Sequence, residues 1–241
     1  MEIQTTDIMS TLNFIKVVIN NRNRLTTTKN MVDKLLSLNP EEEIIILDND
    51  SKYPPLLLWY KETMSNPFYK TVKVHFCKNE GHLALWATGL WRELGMYFVY
   101  TDSDIELNEN FPANWKEIMY DLCVKHDTKI ALALRINDLP DHYRYKNQVM
   151  RNEARWWLYE GEKDLYVADT DTTFFLMRNF GDNEYRSYRI ALPDMVSRHI
   201  PWYIDLDNLD EEERYYLDNM GTRVLTQYSK QHLEPEKYTD I

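Results

Sequence analysis

Apolar residues in the first part of the chain gather in four short runs, at 14–19, 44–47, 72–76 and 97–100, each rich in β-branched and aromatic side chains. Bounded by turn residues, such runs read as strands. Between them, 28–38, 54–64 and 82–94 have the length and period of helices. Thr28 is placed to cap the first, Pro54 and Pro55 suit the first turn of the second, and Gly95 is a stop signal after the third. The resulting βαβαβαβ order predicts a parallel sheet with right-handed crossovers. It gathers the polar segments that follow the strands, 20–24, 48–51, 78–81 and 102–104, along one sheet edge.

After residue 104 the pattern loosens. A helix is expected at 115–125, a strand at 130–136, a helix at 145–158 and two strands at 173–178 and 188–191. Loss of strict alternation fits a mixed or antiparallel extension of the sheet. The acidic run 205–213 opens a last helix, and the segment beyond Ser229 reads as a flexible tail.

At 241 residues the chain suits one α/β domain with a sheet buried between helical layers. Its formal charge of -11 opposes sequence-independent binding to nucleic acid, so none is expected as a partner. Cys77 and Cys123 both sit in apolar segments, which points to reduced core thiols and a cytosol-like compartment. The polar start of the chain does not read as a signal peptide, and no apolar stretch is long enough to cross a bilayer.

The candidate chemistry centres on Asp102 and Asp104, spaced i, i+2 where the fourth strand ends. In extended chain such residues point the same way, so the two carboxylates can share a hard divalent cation that also takes phosphate oxygens. Two solvated turn aspartates would look the same in isolation. Asp48 and Asp50 end the second strand, on the same predicted edge, and that convergence favours a site.

These residues resemble the nucleotide-sugar-dependent glycosyltransferases of GT-A fold, especially the large inverting family two and the short enzymes of this type encoded by large algal viruses. The resemblance rests on Asn20, Asn21 and Arg22 after the first strand, Asp48-Asn49-Asp50 after the second, Asn79-Glu80-Gly81 after the third, and the Asp-x-Asp element in its expected place. It implies a GT-A, Rossmann-like sheet with helices on both faces, a nucleotide-binding half at 1–107, an acceptor half with mixed strands at 108–229, and a tail at 230–241. Asn20, Arg22, Asp48, Asp50, Gly81 and Ser103 would surround a nucleotide diphosphate, of UDP type. Asp102, Asp104 and the late His199 would hold manganese or magnesium. An inverting transfer to a glycan, glycoprotein or other hydroxyl acceptor needs a base, for which Glu153 comes first and Asp138 second, with Asp141 also considered. Asp169 and Asp171 form a second i, i+2 pair that suits either sugar hydroxyls or a turn. A phosphatase of haloacid-dehalogenase type is the alternative enzyme, although there the Asp-x-Asp follows the first core strand. A non-catalytic carbohydrate-binding or assembly protein is the alternative outside enzymes.

Overall fold

Val17, Val18 and Ile19 are consecutive and all fully buried, which is possible in a strand only where the sheet is covered on both faces. They lie in β1 (Lys16–Asn21) of a computed structural model that describes residues 11–184 and 186–220. The other expected strands are β2 (Ile44–Asn49), β3 (Val72–Cys77) and β4 (Tyr97–Asp102), of which β2 and β4 are prolonged past their apolar runs into the polar segments. β1 pairs in parallel with both β2 and β4, and β2 with β3. The chain continues through β5 (Ile105–Glu106), β6 (Lys129–Leu132), β7 (Glu160–Glu162), β8 (Leu165–Asp169), β9 (Phe175–Arg178), β10 (Arg186–Ile190) and β11 (Arg198–His199). The main sheet has the order β3-β2-β1-β4-β9-β6-β10-β8-β7, and only β9 and β8 run against the other strands. It is the expected mostly parallel α/β sheet, with its antiparallel pairings confined to one side.

Alternate side chains divide between two layers. Val17, Ile19, Ile44, Ile46 and Val99 face a large core, while Val18, Leu47, Phe98 and Tyr100 face a smaller one. The large core is closed by α1 (Thr26–Leu38), α2 (Pro54–Ser65), α3 (Trp115–His126) and α4 (Lys146–Ala154), through residues such as Leu35, Trp59, Met119 and Val149. The opposite face is covered thinly, because 82–94 is not one helix. It breaks into a 3-10 turn Gly81–Leu83, one α-turn Ala84–Ala87 and a second 3-10 turn Leu90–Glu93, interrupted at Gly89 with φ of 77°. Leu85, Leu90 and Leu94 still reach the small core, which explains the helix-like period without a helix.

Three further expectations change. α1 begins before Thr28, whose buried hydroxyl donates to the Arg24 carbonyl, so Thr28 is not its cap. The strand expected at 130–136 ends at Leu132, and Leu134 only bridges to Ser197. The helix expected at 145–158 is α4 followed by a 3-10 turn, Arg155–Trp157. The last helix, α5 (Glu211–Asp218), starts within the acidic run, where the Asp210 side chain accepts from Glu213 N. The expected tail at 230–241 lies outside the described residues, among which no helix is long and apolar enough to cross a membrane.

Candidate functional site

Strand register puts the polar ends of β1, β2 and β4 next to one another. Asn20 is the β1 partner of Asp102 on one side and of Leu47 on the other. Counting along each strand from Val18, Leu47 and Tyr100, the residues Asn20, Asn49 and Asp102 continue the small-core face past its apolar end. They form a hydrogen-bonded row. Glu80 N donates to Asn49 Oδ1 (3.0 Å), Asn49 Nδ2 donates to Asn20 Oδ1, and Asn20 Nδ2 donates to Asp102 Oδ1 (3.1 Å). The Gly81 carbonyl accepts from both asparagines, at 3.4 and 3.3 Å, from a backbone with φ of 73° that glycine adopts readily.

The row opens into a cleft of about 300 Å³ lined by Asn20, Arg22, Gly81, Asp102, Ser103, Asp104 and His199, seven of the residues singled out in the sequence. Arg24, Asn49, Asp171, Thr172 and Tyr216 line it as well. His199 arrives on β11, which pairs antiparallel with β5 so that His199 faces Ile105, and Ile200 N donates to the Asp104 carbonyl (2.9 Å). Its Nε2 lies 3.7 Å from Asp104 Oδ1, and burial pulls its pKa down while the Asp104 charge opposes that shift.

Asp48 is absent from the cleft wall. It lies on the opposite face of β2, in the large-core layer, where Tyr60 Oη donates to Asp48 Oδ2 (2.9 Å) and Ser51 N donates to Asp48 Oδ1 (2.9 Å). Asp50 pairs with Lys52 at 2.6 Å, outside the lining. Strand parity was the overlooked signal, since it puts Asn49, and not its acidic neighbours, beside Asn20. Glu153 and Asp138 do not line the cleft either. Glu153 Oε2 is ion-paired with Arg189 at 2.8 Å. Asp138 takes hydrogen bonds from Arg198 Nε (2.9 Å), Arg198 Nη2 (2.5 Å) and Tyr203 Oη (2.5 Å). Its pKa is lowered although burial acts the other way, because Tyr203 and Arg198 stabilise the anion. Asp141 is exposed and pairs with Lys146 at 2.7 Å.

The electrostatics are unbalanced in two places. Burial first, and the nearby Asp104 charge second, push Asp102 up to about 8. Among the described residues, Asp104 Oδ1, His199 Nδ1, Arg22 Nε and Arg24 Nε are buried and make no hydrogen bond. A cation between the carboxylates would relieve their repulsion and use the free Asp104 oxygen, so Asp102 and Asp104 fit a hard divalent ion by their chemistry. No group of three or more His, Cys, Asp or Glu side chains is arranged to hold a metal by itself among the described residues, so remaining ligands would come from a substrate and water. Arg24, whose Nε lies 3.7 Å from Asp104 Oδ2, is enclosed by α5. Its guanidinium is ion-paired with Glu213 and lies 3.8 Å from the centre of the Tyr216 ring, while Arg22 Nη1 donates to the Met220 carbonyl (2.5 Å).

No protein-family model and no curated protein matches the chain. Among solved structures it is similar to a mannosyltransferase from Pyrobaculum calidifontis in complex with GDP-Man and Mn2+, at 13% identity and a TM-score of 0.47, over 91% of this chain and 61% of that one. It is similar to GalNAc-T7 with UDP, GalNAc and Mn2+, at 14% identity and 0.48, over 76% and 42%. A third is glucosyl-3-phosphoglycerate synthase from Mycobacterium tuberculosis with Mn2+, UDP-glucose and phosphoglyceric acid, at 12% identity and 0.41, over 74% and 62%. The chain spans less than two thirds of the length of each. At such identities and TM-scores, what those proteins bind remains a property of those proteins.

Proposed function

We propose that the chain is a metal-dependent glycosyltransferase whose cleft holds the diphosphate of a nucleotide sugar, of UDP type, and passes the sugar with inversion to a hydroxyl of a glycan or similar acceptor. One observation carries this reading. Arg22 Nε, Arg24 Nε and Asp104 Oδ1 are buried without a hydrogen bond on residues that line one cleft, with Arg24 Nε 3.7 Å from Asp104 Oδ2. A site offering cationic donors and a second carboxylate within one small cleft suits an anion that arrives with a divalent cation, and a nucleoside diphosphate is such a ligand. Bound at Asp102 and Asp104, manganese or magnesium would stabilise the charge that develops on the departing diphosphate. Asn20 and Thr172 hold the two oxygens of Asp102, and Ser103 is held by its hydroxyl on Asn21 Oδ1 (2.9 Å), so the Asp-x-Asp segment is fixed before any ligand arrives.

Inversion needs a carboxylate that takes the acceptor proton while the acceptor oxygen attacks the anomeric carbon. Glu153 and Asp138 are engaged by arginines and do not line the cleft, whereas Asp171 stands exposed on its wall, and we assign it that role. The deciding experiment is nucleoside diphosphate release from a panel of UDP- and GDP-sugars with manganese, backed by calorimetry. The expected result is metal-dependent binding and release with at least one donor. If no donor or nucleotide binds and none is turned over, the glycosyltransferase reading fails. Asp171→Asn should keep donor binding and lose transfer; a Glu153→Gln variant with that phenotype would return the role to Glu153.

A further inference from the structure

The least expected residue in the sheet is Lys129, at the start of a central strand and 1% exposed. Burying an ammonium is costly unless its charge and donors are satisfied. Its Nζ donates to the Thr170 carbonyl, to Asn183 Oδ1 (3.2 Å) and to the Asp171 carbonyl (3.4 Å). A second buried cation, Arg189 on the neighbouring β10, reaches the same loop. Its Nη2 donates to the Asp169 carbonyl (2.6 Å) and its Nε to Thr170 Oγ1 (3.1 Å), which also accepts from Ser187 Oγ (2.8 Å). Three consecutive carbonyls, of Asp169, Thr170 and Asp171, are thus tied down by two cations.

The next residue explains why so short a turn is so heavily fixed. Thr172 is buried, and it meets Asp102 twice: Asp102 N donates to the Thr172 carbonyl (2.9 Å), and Thr172 Oγ1 donates to Asp102 Oδ2. The other oxygen, Asp102 Oδ1, is taken by Asn20. Both the rotamer of this carboxylate and its free lone pairs depend on where the loop places Thr172.

We infer that Lys129 and Arg189 are positioning residues, whose buried cations hold the Asp169–Thr172 loop so that Thr172 orients the Asp102 carboxylate toward the cleft. A turn needed only to join two strands would require neither cation. Groups that support ligands in this way commonly change metal affinity about 10- to 100-fold when removed. The effect on a cation rests on the glycosyltransferase reading; the effect on Asp102 itself does not.

The test uses Thr172→Val, Thr172→Ser, Lys129→Met and Arg189→Lys, with two readouts: calorimetric affinity for manganese with UDP, and hydrogen exchange at the Asp102 amide. Thr172→Val should weaken manganese-UDP binding about tenfold and Thr172→Ser should restore it. Lys129→Met should weaken binding similarly and speed Asp102 exchange about tenfold, and adding Thr172→Val to it should weaken binding little further, because Lys129 acts through Thr172. Where Lys129→Met fails to fold, Arg189→Lys must give the same two changes. A folded loop variant with wild-type affinity overturns the inference, whatever its melting temperature. If the wild type binds no manganese-UDP, the UDP-type reading of the site falls. Exchange then decides the positioning claim alone, and unchanged exchange in the loop variants overturns it.

Discussion

Through Asp104 the cleft is built from strand ends in register, with Asn20 beside Asp102 and Asn49 next in the row. Beyond Asp104 it is built from side chains that cross long distances in sequence, such as Thr172 to Asp102, His199 to Asp104 and Glu213 to Arg24. In the first region the backbone ladder places the groups, and in the second buried polar contacts do. The difference predicts how each region fails. Substitutions in the first should remove chemistry and spare the fold, while substitutions in the second should loosen the fold around chemistry that is still present.

The largest expected effect tests the first half of that contrast. Asp104→Asn should lower metal-dependent donor turnover by at least about 100-fold, since loss of a ligand should exceed the loss of a supporting group. Its melting temperature should stay near wild type, because Asp104 Oδ1 has no hydrogen bond to lose, its Oδ2 lies 3.7 Å from Arg24 Nε, and Arg24 keeps its closer partner Glu213. Wild-type kinetics with manganese would remove the pair from the mechanism.

Glu213→Ala probes the second half. It leaves the Arg24 guanidinium, whose side chain is 4% exposed, without its closest counter-charge. Breaking a buried pair in this way costs about 3 to 5 kcal/mol, and the lower end applies because Asp104 and Tyr216 remain beside Arg24. Urea unfolding would measure it, and a loss under about 1 kcal/mol would mean that α5 contributes little to the first βα unit. Glu212→Ala should cost less, about 1 kcal/mol, as loss of a helix cap: its carboxylate accepts from Leu25 N (2.8 Å) and Thr26 N (3.0 Å) at the start of α1.

The same contrast explains what could be read from the sequence. Strands β1 to β4 announce themselves because each is an apolar run ended by turn residues, and their order brings Asn20, Gly81, Asp102 and Asp104 to one edge. Within that edge, face is set by parity, which gives Asn49 to the cleft and Asp48 to Tyr60. The strands of the second region are harder to see. β7 is Glu-Gly-Glu and wholly exposed, and β11 is two residues long, so neither carries an apolar run. Lys129 and Arg189 look like surface residues until the fold shows which carbonyls they meet.

Lys129 also makes the second region sensitive to pH. Burial, the largest influence, lowers its pKa to about 8, while Asp171, Glu184 and Asp169 oppose that and Arg189 adds to it. The unfolded chain should titrate near about 10.4, so between these values the folded state binds fewer protons and stability rises with pH. Measured against Lys129→Met, wild-type stability should gain on the order of 3 kcal/mol from pH 8 to about 10.5, with no such gain below pH 8. A flat difference across that window would mean that the ammonium keeps its charge in the fold without penalty.

The smallest effect tests the one stretch of the first region that departs from regular alternation. In an unbroken helix at 82–94, Gly89→Ala would stabilise by up to about 1 kcal/mol, because alanine is the better helix former. In the broken arrangement Gly89 has φ of 77°, where an L side chain is strained, and the sign reverses to a loss of about 1 kcal/mol. Crowding adds little, since the new Cβ would meet the end of the flexible Arg92 side chain, which can move aside. Gly95→Ala is the control: its φ is not positive and its Cβ would make ordinary contact with the Phe14 carbonyl at 3.6 Å, so it should be close to neutral. Thermal melts of the two variants separate the cases by sign. A stabilised Gly89→Ala would restore the continuous helix and, with it, a thicker cover on the small-core face.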